Sequence, residues 1–362
     1  MKKLNKKILI STGGTGGHVF PAYSLAQYLT NQDYSIEIVT DTRGMKFLKN
    51  STINLKLINT STIFQKNPFK VVYSFFQITF ALIKSFLLLI NSKPSLVFGM
   101  GGYSSFPICL AAKLLRIPFI IYENNLLLGK ANKFLLPMAH KLFVSYSDLE
   151  GLKSKYNFKK FKIGNLIREK ILNFQPNKEL LKSDELSILI LGGSQAARSF
   201  AEKIPNIVSQ CTKEKIKLKL FQQCLKDQNL ELEKLYKSQN IEFKLFNFSE
   251  NLLDYFSKVD LAITRAGSSM IAELINCNIP FISIPFPYSA EEHQLKNAKY
   301  FEKKGYGFLI EEQDIELKLF TLIKMIHKDK NLLIQIKEKQ KNHSDKSVFK
   351  KVDMHIKEIT SE

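Results

Sequence analysis

Short apolar, β-branched runs alternate along this chain with stretches whose apolar residues return at helical spacing, and the alternation begins twice. In the first half the runs are Lys7–Thr12, Ser35–Thr40, Leu96–Gly99, Phe119–Tyr122 and Lys141–Val144. The pattern restarts at Leu186–Leu191 and continues through Lys217–Phe221, Ile241–Phe246, Leu261–Thr264 and Ile279–Pro285. Strands separated by helical segments predict parallel sheets with crossover helices, so the fold class is α/β with two Rossmann-like domains facing across a cleft. Polar and turn residues between Ile163 and Lys178 mark the break. The expected domains are residues 1–163 and 164–344; the lysine-rich helical pattern from Lys337 onward could pack against either half, and its last helix, about residues 345–362, could return to the first. In doubly wound sheets ligands sit beyond the carboxyl ends of the strands, so function is expected in the loops that follow them.

One segment departs from this rhythm. Lys70–Ile90 is about long enough to span a bilayer, although Ser74, Gln77, Thr79, Lys84 and Ser85 interrupt it. Ser74, Gln77, Ala81 and Lys84 form a narrow small-polar stripe at helical spacing and leave apolar side chains over most of the circumference. Three readings stand: a single-pass span, a buried core helix, or a helix with one face on the sheet and another on a membrane surface. In the third, Lys66, Lys70, Lys84 and Lys93 meet anionic lipid heads.

Composition changes the picture little. A length of 362 residues suits two cores, and 45% hydrophobic with 24% charged residues is globular. The net charge of +20 fits an anionic partner or plain lysine enrichment, and without a recognised motif nucleic acid ranks last among the partners. Cys109, Cys211, Cys224 and Cys277 are too scattered for a zinc site or a disulfide framework, which fits a reducing compartment. The basic, briefly apolar start runs straight into a glycine turn and reads as a first strand in a cytoplasmic protein.

Four loops carry candidate chemistry. The first, Gly13-Gly14-Thr15-Gly16-Gly17-His18, lies between strand and helix, where backbone amides can approach an anion or a sugar at the positive end of the helix dipole. It is no P-loop, and Val19 stands where the dinucleotide fingerprint needs a third glycine. Such a turn alone also suits a plain tight connection. The second, Gly192-Gly193-Ser194, opens the second half in the same way, with Ser194 either a helix cap or a diphosphate contact. The third runs from Arg265 through Ser268, Ser269, Met270, Ile271 and Ala272 to Glu273. Glu273 lies too far into its helix for a capping box and is either a surface carboxylate or an acceptor for ribose hydroxyls. The fourth predicts a capping box from Ser289 to Glu292, leaving His293, Gln294 and Asn297 for sugar hydroxyls.

Together these motifs resemble the MurG family, the N-acetylglucosaminyltransferases that complete the lipid-linked disaccharide of peptidoglycan. The resemblance rests on GGTGGHVFPA at Gly13–Ala22, GMGGYSSFP at Gly99–Pro107, ENN at Glu123–Asn125, GNLIR at Gly164–Arg168, GGSQAAR at Gly192–Arg198, RAGSSMIAE at Arg265–Glu273 and HQLKNA at His293–Ala298. Tyr122, Asn124, Leu166 and Ala196 depart from the family's usual residues, and the Ala196 methyl group stands where a glycine is usual in the phosphate turn. The resemblance implies a glycosyltransferase B fold whose first domain takes the lipid-linked acceptor, an undecaprenyl-diphospho-muramoyl-peptide, and whose second takes UDP-N-acetylglucosamine. It implies Ser194 and nearby amides on the diphosphate, backbone near Ser249 on the uracil and Glu273 on the ribose, with Ser268, Ser269, Met270, Ile271 and Ala272 also binding substrate. Thr15, Gly16, Gly17, Asn125, Arg168 and Gln294 surround the sugar and phosphates.

Inverting transfer to the C4 hydroxyl of the acceptor needs a base. His18 is the candidate, since imidazole ordinarily titrates near neutrality, and contact with the acceptor diphosphate or support of the loop are its other roles. Arg168 and helix N-termini supply positive charge. No cofactor or metal is expected, because the chain has no DxD motif. The expected location is the cytoplasmic face of the cell membrane, bound peripherally to anionic lipid. A UDP-N-acetylglucosamine epimerase, a nicotinamide-dependent dehydrogenase and a non-enzymatic membrane scaffold are the alternatives.

Overall fold

A computed structural model describes residues 6–49, 51–60, 68–175, 183–247, 249 and 251–361. The chain forms two compact units, Met1–Glu169 with Asp345–Glu362, and Lys170–Ser344. The division falls within the expected break between Ile163 and Lys178, a few residues after the boundary drawn at residue 163. Asn165 and Leu166 explain this, since their amides donate to Asp345 Oδ1 (2.9 Å) and Tyr122 Oη (3.1 Å) within the first unit.

The first unit runs β1 (Lys7–Ser11), α1 (Gly16–Thr30), β2 (Ser35–Thr40), α2 (Thr42–Met45), β3 (Asn54–Leu57), α3 (Pro68–Ser92), β4 (Leu96–Gly99), α4 (Gly102–Leu114), β5 (Phe119–Glu123), α5 (Lys130–Leu135), β6 (Lys141–Val144) and β7 (Lys160–Lys162). Its sheet has the order β3-β2-β1-β4-β5-β6-β7, all parallel. The order reverses at β1 and β4, which puts the loops after those strands at the topological switch point. Helix α6 (Glu169–Leu172) lies at the boundary.

The second unit begins with β8 (Leu186–Leu191), α7 (Gly193–Lys213), β9 (Leu218–Gln223), α8 (Asn229–Ser238) and β10 (Glu242–Phe246). It continues through α9 (Leu253–Phe256), β11 (Leu261–Thr264), α10 (Ser268–Asn276), β12 (Phe281–Ser283), α11 (His293–Lys303), β13 (Phe308–Leu309), α12 (Ile315–Lys328) and α13 (Asn331–Lys341). The sheet order β10-β9-β8-β11-β12-β13, again parallel, repeats the switch at β8 and β11. Buried central strands read as continuous apolar runs. The outer strands β3, β7 and β13 do not, being short and largely unburied, and they lie outside the expected set.

The last helix, α14 (Val348–Ser361), returns to the first unit. Tyr34 Oη donates to Asp353 Oδ1 at 3.0 Å, and Lys141 Nζ lies 2.5 Å from Glu358 Oε2.

Helix α3 is turned with its small residues inward. Ser74, Ala81, Ser85 and Leu89 are buried, and Ala81 and Leu89 share a core with Ile108, Ala111 and Ala112 of α4. Small side chains permit that close approach, and Ser85 Oγ satisfies itself on the Ala81 carbonyl at 2.6 Å. Lys84 is exposed at the edge of this stripe, 4.6 Å from the Phe80 ring centroid, so the stripe expected from Ser74 to Lys84 is buried only in part. Outward stand Tyr73, Phe75, Phe76, Phe80, Ile83, Leu87 and Ile90, between 44% and 66% exposed. The wholly buried reading of this helix is therefore corrected. Its Tyr73–Ser92 portion is long and apolar enough to cross a membrane by length and composition.

Candidate functional site

In the first unit, three loops at the carboxyl ends of β1, β4 and β5 are held together by direct contacts. The β1–α1 turn places Gly14 in the left-handed region (φ 81°), and Thr15 precedes α1 without a side-chain cap. Gly13 is closed in on two sides. A Cβ there would stand 2.7 Å from Ser104 Cβ of α4 and 3.0 Å from Asp41 Cγ at the end of β2, so only glycine lets these elements meet.

His18, in the first turn of α1, lies against the second glycine loop. A Cβ on Gly101 would be 3.4 Å from its Cε1, and one on Gly102 would be 3.8 Å from its Nε2. Both glycines have positive φ, 84° and 72°, which turns the chain tightly enough for the imidazole to seat there. The third loop joins through Asn124, whose Nδ2 donates to the Gly17 carbonyl at 3.1 Å. Thr15 is exposed and Gly16 and Gly17 are partly so. Arg168 is half-buried in the segment after β7.

Asn125 was expected to face substrate, and its carboxamide nitrogen donates to Glu123 Oε1 and Asn124 Oδ1 within the loop. The residue that organises this loop is Glu123, which the candidate set omitted. It is only 4% exposed, and its carboxylate accepts from Asn125 N and Nδ2, Gly129 N and Asn132 Nδ2 at 3.0–3.1 Å. An acidic residue ending an otherwise apolar strand was the available signal.

In the second unit, Gly193 opens α7 with φ 67° and donates its amide to Gln223 Oε1 at 3.1 Å. Gln223, from the end of β9, also donates to the Asn247 carbonyl at 3.2 Å and so ties the loop after β8 to that after β10. It too was absent from the candidates, though β9 ends in two glutamines. The side chains of Ser194 and Ala196 lie outside the described residues. Ser249 is described and half-buried.

The loop after β11 is anchored by Arg265. That guanidinium is buried, pairs with Glu312 at 2.5 Å and lies 4.5 Å from the Phe200 ring centroid. Burial pushes its pKa down, opposed by Glu312. Gly267 then precedes α10, whose first residues Ser268, Ser269 and Met270 bring their amides to the helix N-terminus. Ile271 and Ala272 follow in the same helix. Both are fully buried, and the Ile271 amide already donates to Gly267 O at 3.1 Å. Glu273 is 7% exposed rather than the open surface carboxylate of the simpler expectation.

The fourth loop also differs from expectation. Ser289 makes no capping box with Glu292, because Glu291 and Glu292 are left-handed (φ 51° and 55°) and break the required turn. Ser289 Oγ accepts instead from Gln294 N at 3.4 Å. Gln294 Oε1 accepts from Phe286 N at 2.9 Å, which fixes the loop, and among the described residues its carboxamide nitrogen makes no hydrogen bond. Asn297 is fully buried and donates to Ala266 O, tying α11 to the loop after β11, and His293 Nδ1 donates to Ala290 O. Asn297 is thus committed inside the protein, while His293 stays half-buried at the helix start.

Residues 8–144 match the glycosyltransferase family 28 N-terminal domain and residues 187–352 its C-terminal domain. A relative from Pelagibacter ubique is 34% identical over 99% of this chain and all of its own length. Its name is UDP-N-acetylglucosamine–N-acetylmuramyl-(pentapeptide) pyrophosphoryl-undecaprenol N-acetylglucosamine transferase. A Rickettsia bellii protein of the same name is 33% identical over 93% of this chain and 97% of its own. Among solved structures, Acinetobacter baumannii MurG aligns with a TM-score of 0.77 at 25% identity, covering 98% and 99% of the two chains. A UDP-N-acetylglucosamine 2-epimerase aligns with a TM-score of 0.64 at 13% identity over 98% and 96%, a likeness of fold alone.

Proposed function

The chain belongs to the MurG glycosyltransferases of family 28, and from that premise we propose how its own residues carry the transfer. The protein moves N-acetylglucosamine from UDP-N-acetylglucosamine to the lipid-linked N-acetylmuramyl-pentapeptide in peptidoglycan synthesis.

The second unit takes the donor. The amides opening α7 and α10 lie at positive helix ends and suit a diphosphate, with Ser194 beside them. Glu273 accepts the ribose hydroxyls, Gln294 gives its amide donors to the sugar, and backbone near Ser249 meets the uracil. The first unit takes the acceptor at Thr15, Gly16, Gly17 and Asn125. His18 removes the proton from the C4 hydroxyl as that oxygen displaces UDP from the anomeric carbon with inversion. Arg168 and the helix N-termini offset the charge developing on UDP. The observation that supports this reading is the imidazole of His18 lying against Gly101 and Gly102, beside the loops at the switch point of the first unit.

Incubation with UDP-N-acetylglucosamine and a short-chain lipid-linked muramyl-peptide, with products identified by mass, tests the reaction. A disaccharide product with UDP released only when acceptor is present is expected. An epimerised sugar nucleotide formed without acceptor would favour the epimerase.

Two expectations concern the donor. Glu273→Ala removes the paired acceptor of the ribose diol and should weaken UDP binding by about 1 to 3 kcal/mol in calorimetry. Unchanged affinity would remove Glu273 from the site. Transfer should also persist in excess chelator, because protein cations and amides carry the charge. Loss of activity with chelator and its recovery with magnesium or manganese would overturn that assignment.

The outward apolar face of α3 meets the membrane, with Lys84 and Lys93 exposed near anionic lipid heads. This makes the protein peripheral on the cytoplasmic leaflet, where its lipid-linked substrate is anchored.

A further inference from the structure

The turn between β2 and α2 packs directly on the first glycine loop. A Cβ on Gly44 would lie 3.2 Å from Gly13 Cα, so the two backbones are in contact. Asp41, buried at that junction, joins them. Its Oδ1 accepts from Gly14 N at 3.0 Å and from Gly44 N at 2.8 Å. Burial acts to raise the Asp41 pKa, but these two amides and Arg43 outweigh it and hold the carboxyl below its usual range. The carboxylate is thus a fixed anion.

Its second oxygen orients Arg43. Asp41 Oδ2 accepts from Arg43 Nε at 3.0 Å and from Nη2 at 2.7 Å, which occupies one edge of the guanidinium. A guanidinium carries five N–H donors in a planar fork, and the edge formed by Nη1 and Nη2 remains. Among the described residues no other hydrogen bond to Arg43 occurs, and its side chain is 66% exposed. The fork stands over the glycine turn, with Nη2 only 3.7 Å and Cζ 4.0 Å from where a Gly14 Cβ would be. A surface Asp–Arg pair contributes little to stability by itself. Here the carboxylate already has two amide donors, so the pair's distinctive result is an arginine held still beside the uncapped start of α1.

We propose that Arg43 is a binding residue for the diphosphate of the lipid-linked acceptor, with Asp41 as the positioning residue that aims it over the Gly13–Gly17 turn. The inference rests on the acceptor-transferase reading above. A diphosphate offers paired oxygens at the spacing a guanidinium edge matches, and the loop amides complete an anion cradle.

Steady-state kinetics at saturating UDP-N-acetylglucosamine, with the short-chain acceptor varied, test it. Arg43→Ala should raise the acceptor KM about tenfold or more, equivalent to about 1.4 kcal/mol, while the donor KM stays within about twofold. Arg43→Lys keeps a charge but loses the fork and should fall between. Inorganic pyrophosphate, read with the donor site saturated, should inhibit the wild type, and Arg43→Ala should weaken that inhibition in the same proportion. An unchanged acceptor KM, an equal rise in the donor KM, or equal pyrophosphate inhibition of both proteins would overturn the proposal. Should Arg43→Ala fail to fold, Arg43→Lys alone decides, and a wild-type acceptor KM in it counts against the idea. Failure of the underlying transferase reading looks different, since the wild type would then give no disaccharide.

Discussion

Glu123→Ala is expected to destabilise the first unit by on the order of 3 kcal/mol and to abolish transfer with it. Four donors converge on this buried carboxylate, two on each oxygen. Alanine leaves them without that acceptor, and the end of β5 then keeps the bond from Asn132 Nδ2 to the Tyr122 carbonyl as its tie to α5. Stranding buried donors costs more than the net gain of making their bonds, which is why the loss should exceed that of an ordinary surface change. Glu123→Gln retains one acceptor oxygen and should cost roughly half as much. Urea unfolding followed by a probe in the first unit reads this directly. A wild-type midpoint for Glu123→Ala would mean that the network does not hold the loop.

The second large effect concerns α3. Replacing Phe75, Phe80 and Leu87 together by Ser should reduce binding to vesicles containing anionic lipid about a hundredfold or more. Burying one such side chain contributes roughly 1.5 to 3 kcal/mol, and three partly inserted ones together about 3 kcal/mol. The melting temperature and UDP affinity should not fall, since all three point away from the core. Wild-type binding should also weaken with salt as lysine–lipid attraction is screened. Unfolding of the variant would show that the face packs inside the protein, whereas resistance of the wild type to both salt and alkaline carbonate would make the segment a span.

The central strands were legible because burial on both sides demands unbroken apolar runs, and β2, β4, β6, β8 and β11 begin and end where the pattern places them. The edge strand β3 escaped because Asn54, Lys56 and Leu57 are exposed, so no periodic signal is required of them. Pattern located α3 but not its orientation. A helix apolar over most of its surface conceals which face is inside, and the answer depended on Ala111 and Ala112 of α4 offering a shallow surface to Ala81.

At the sites, glycine spacing revealed the loops, because only certain backbones permit close approach. Which polar residues would be spent internally was not legible. In the sequence Asn297 is as available as Gln294, but its carboxamide donates to Ala266 O, and nothing in the Glu123–Asn125 motif specifies the donors that gather on Glu123. Such partners are fixed by contacts between distant segments. The failed capping box at Ser289 has a local cause, two left-handed glutamates that residue type alone does not foretell.

The position of α14 has a consequence for biogenesis. The first unit is discontinuous in sequence, and Asp345 binds both the amide and the side chain of Asn165 at the place where the chain leaves that unit and re-enters it. As the polypeptide emerges from the ribosome, the N-terminal sheet must therefore wait through synthesis of the entire inserted unit before its closing helix exists. Until then the Tyr34 hydroxyl and the Lys141 ammonium lack their native partners, and the apolar groove that receives Val348, Val352 and Ile356 is open to water or to a chaperone.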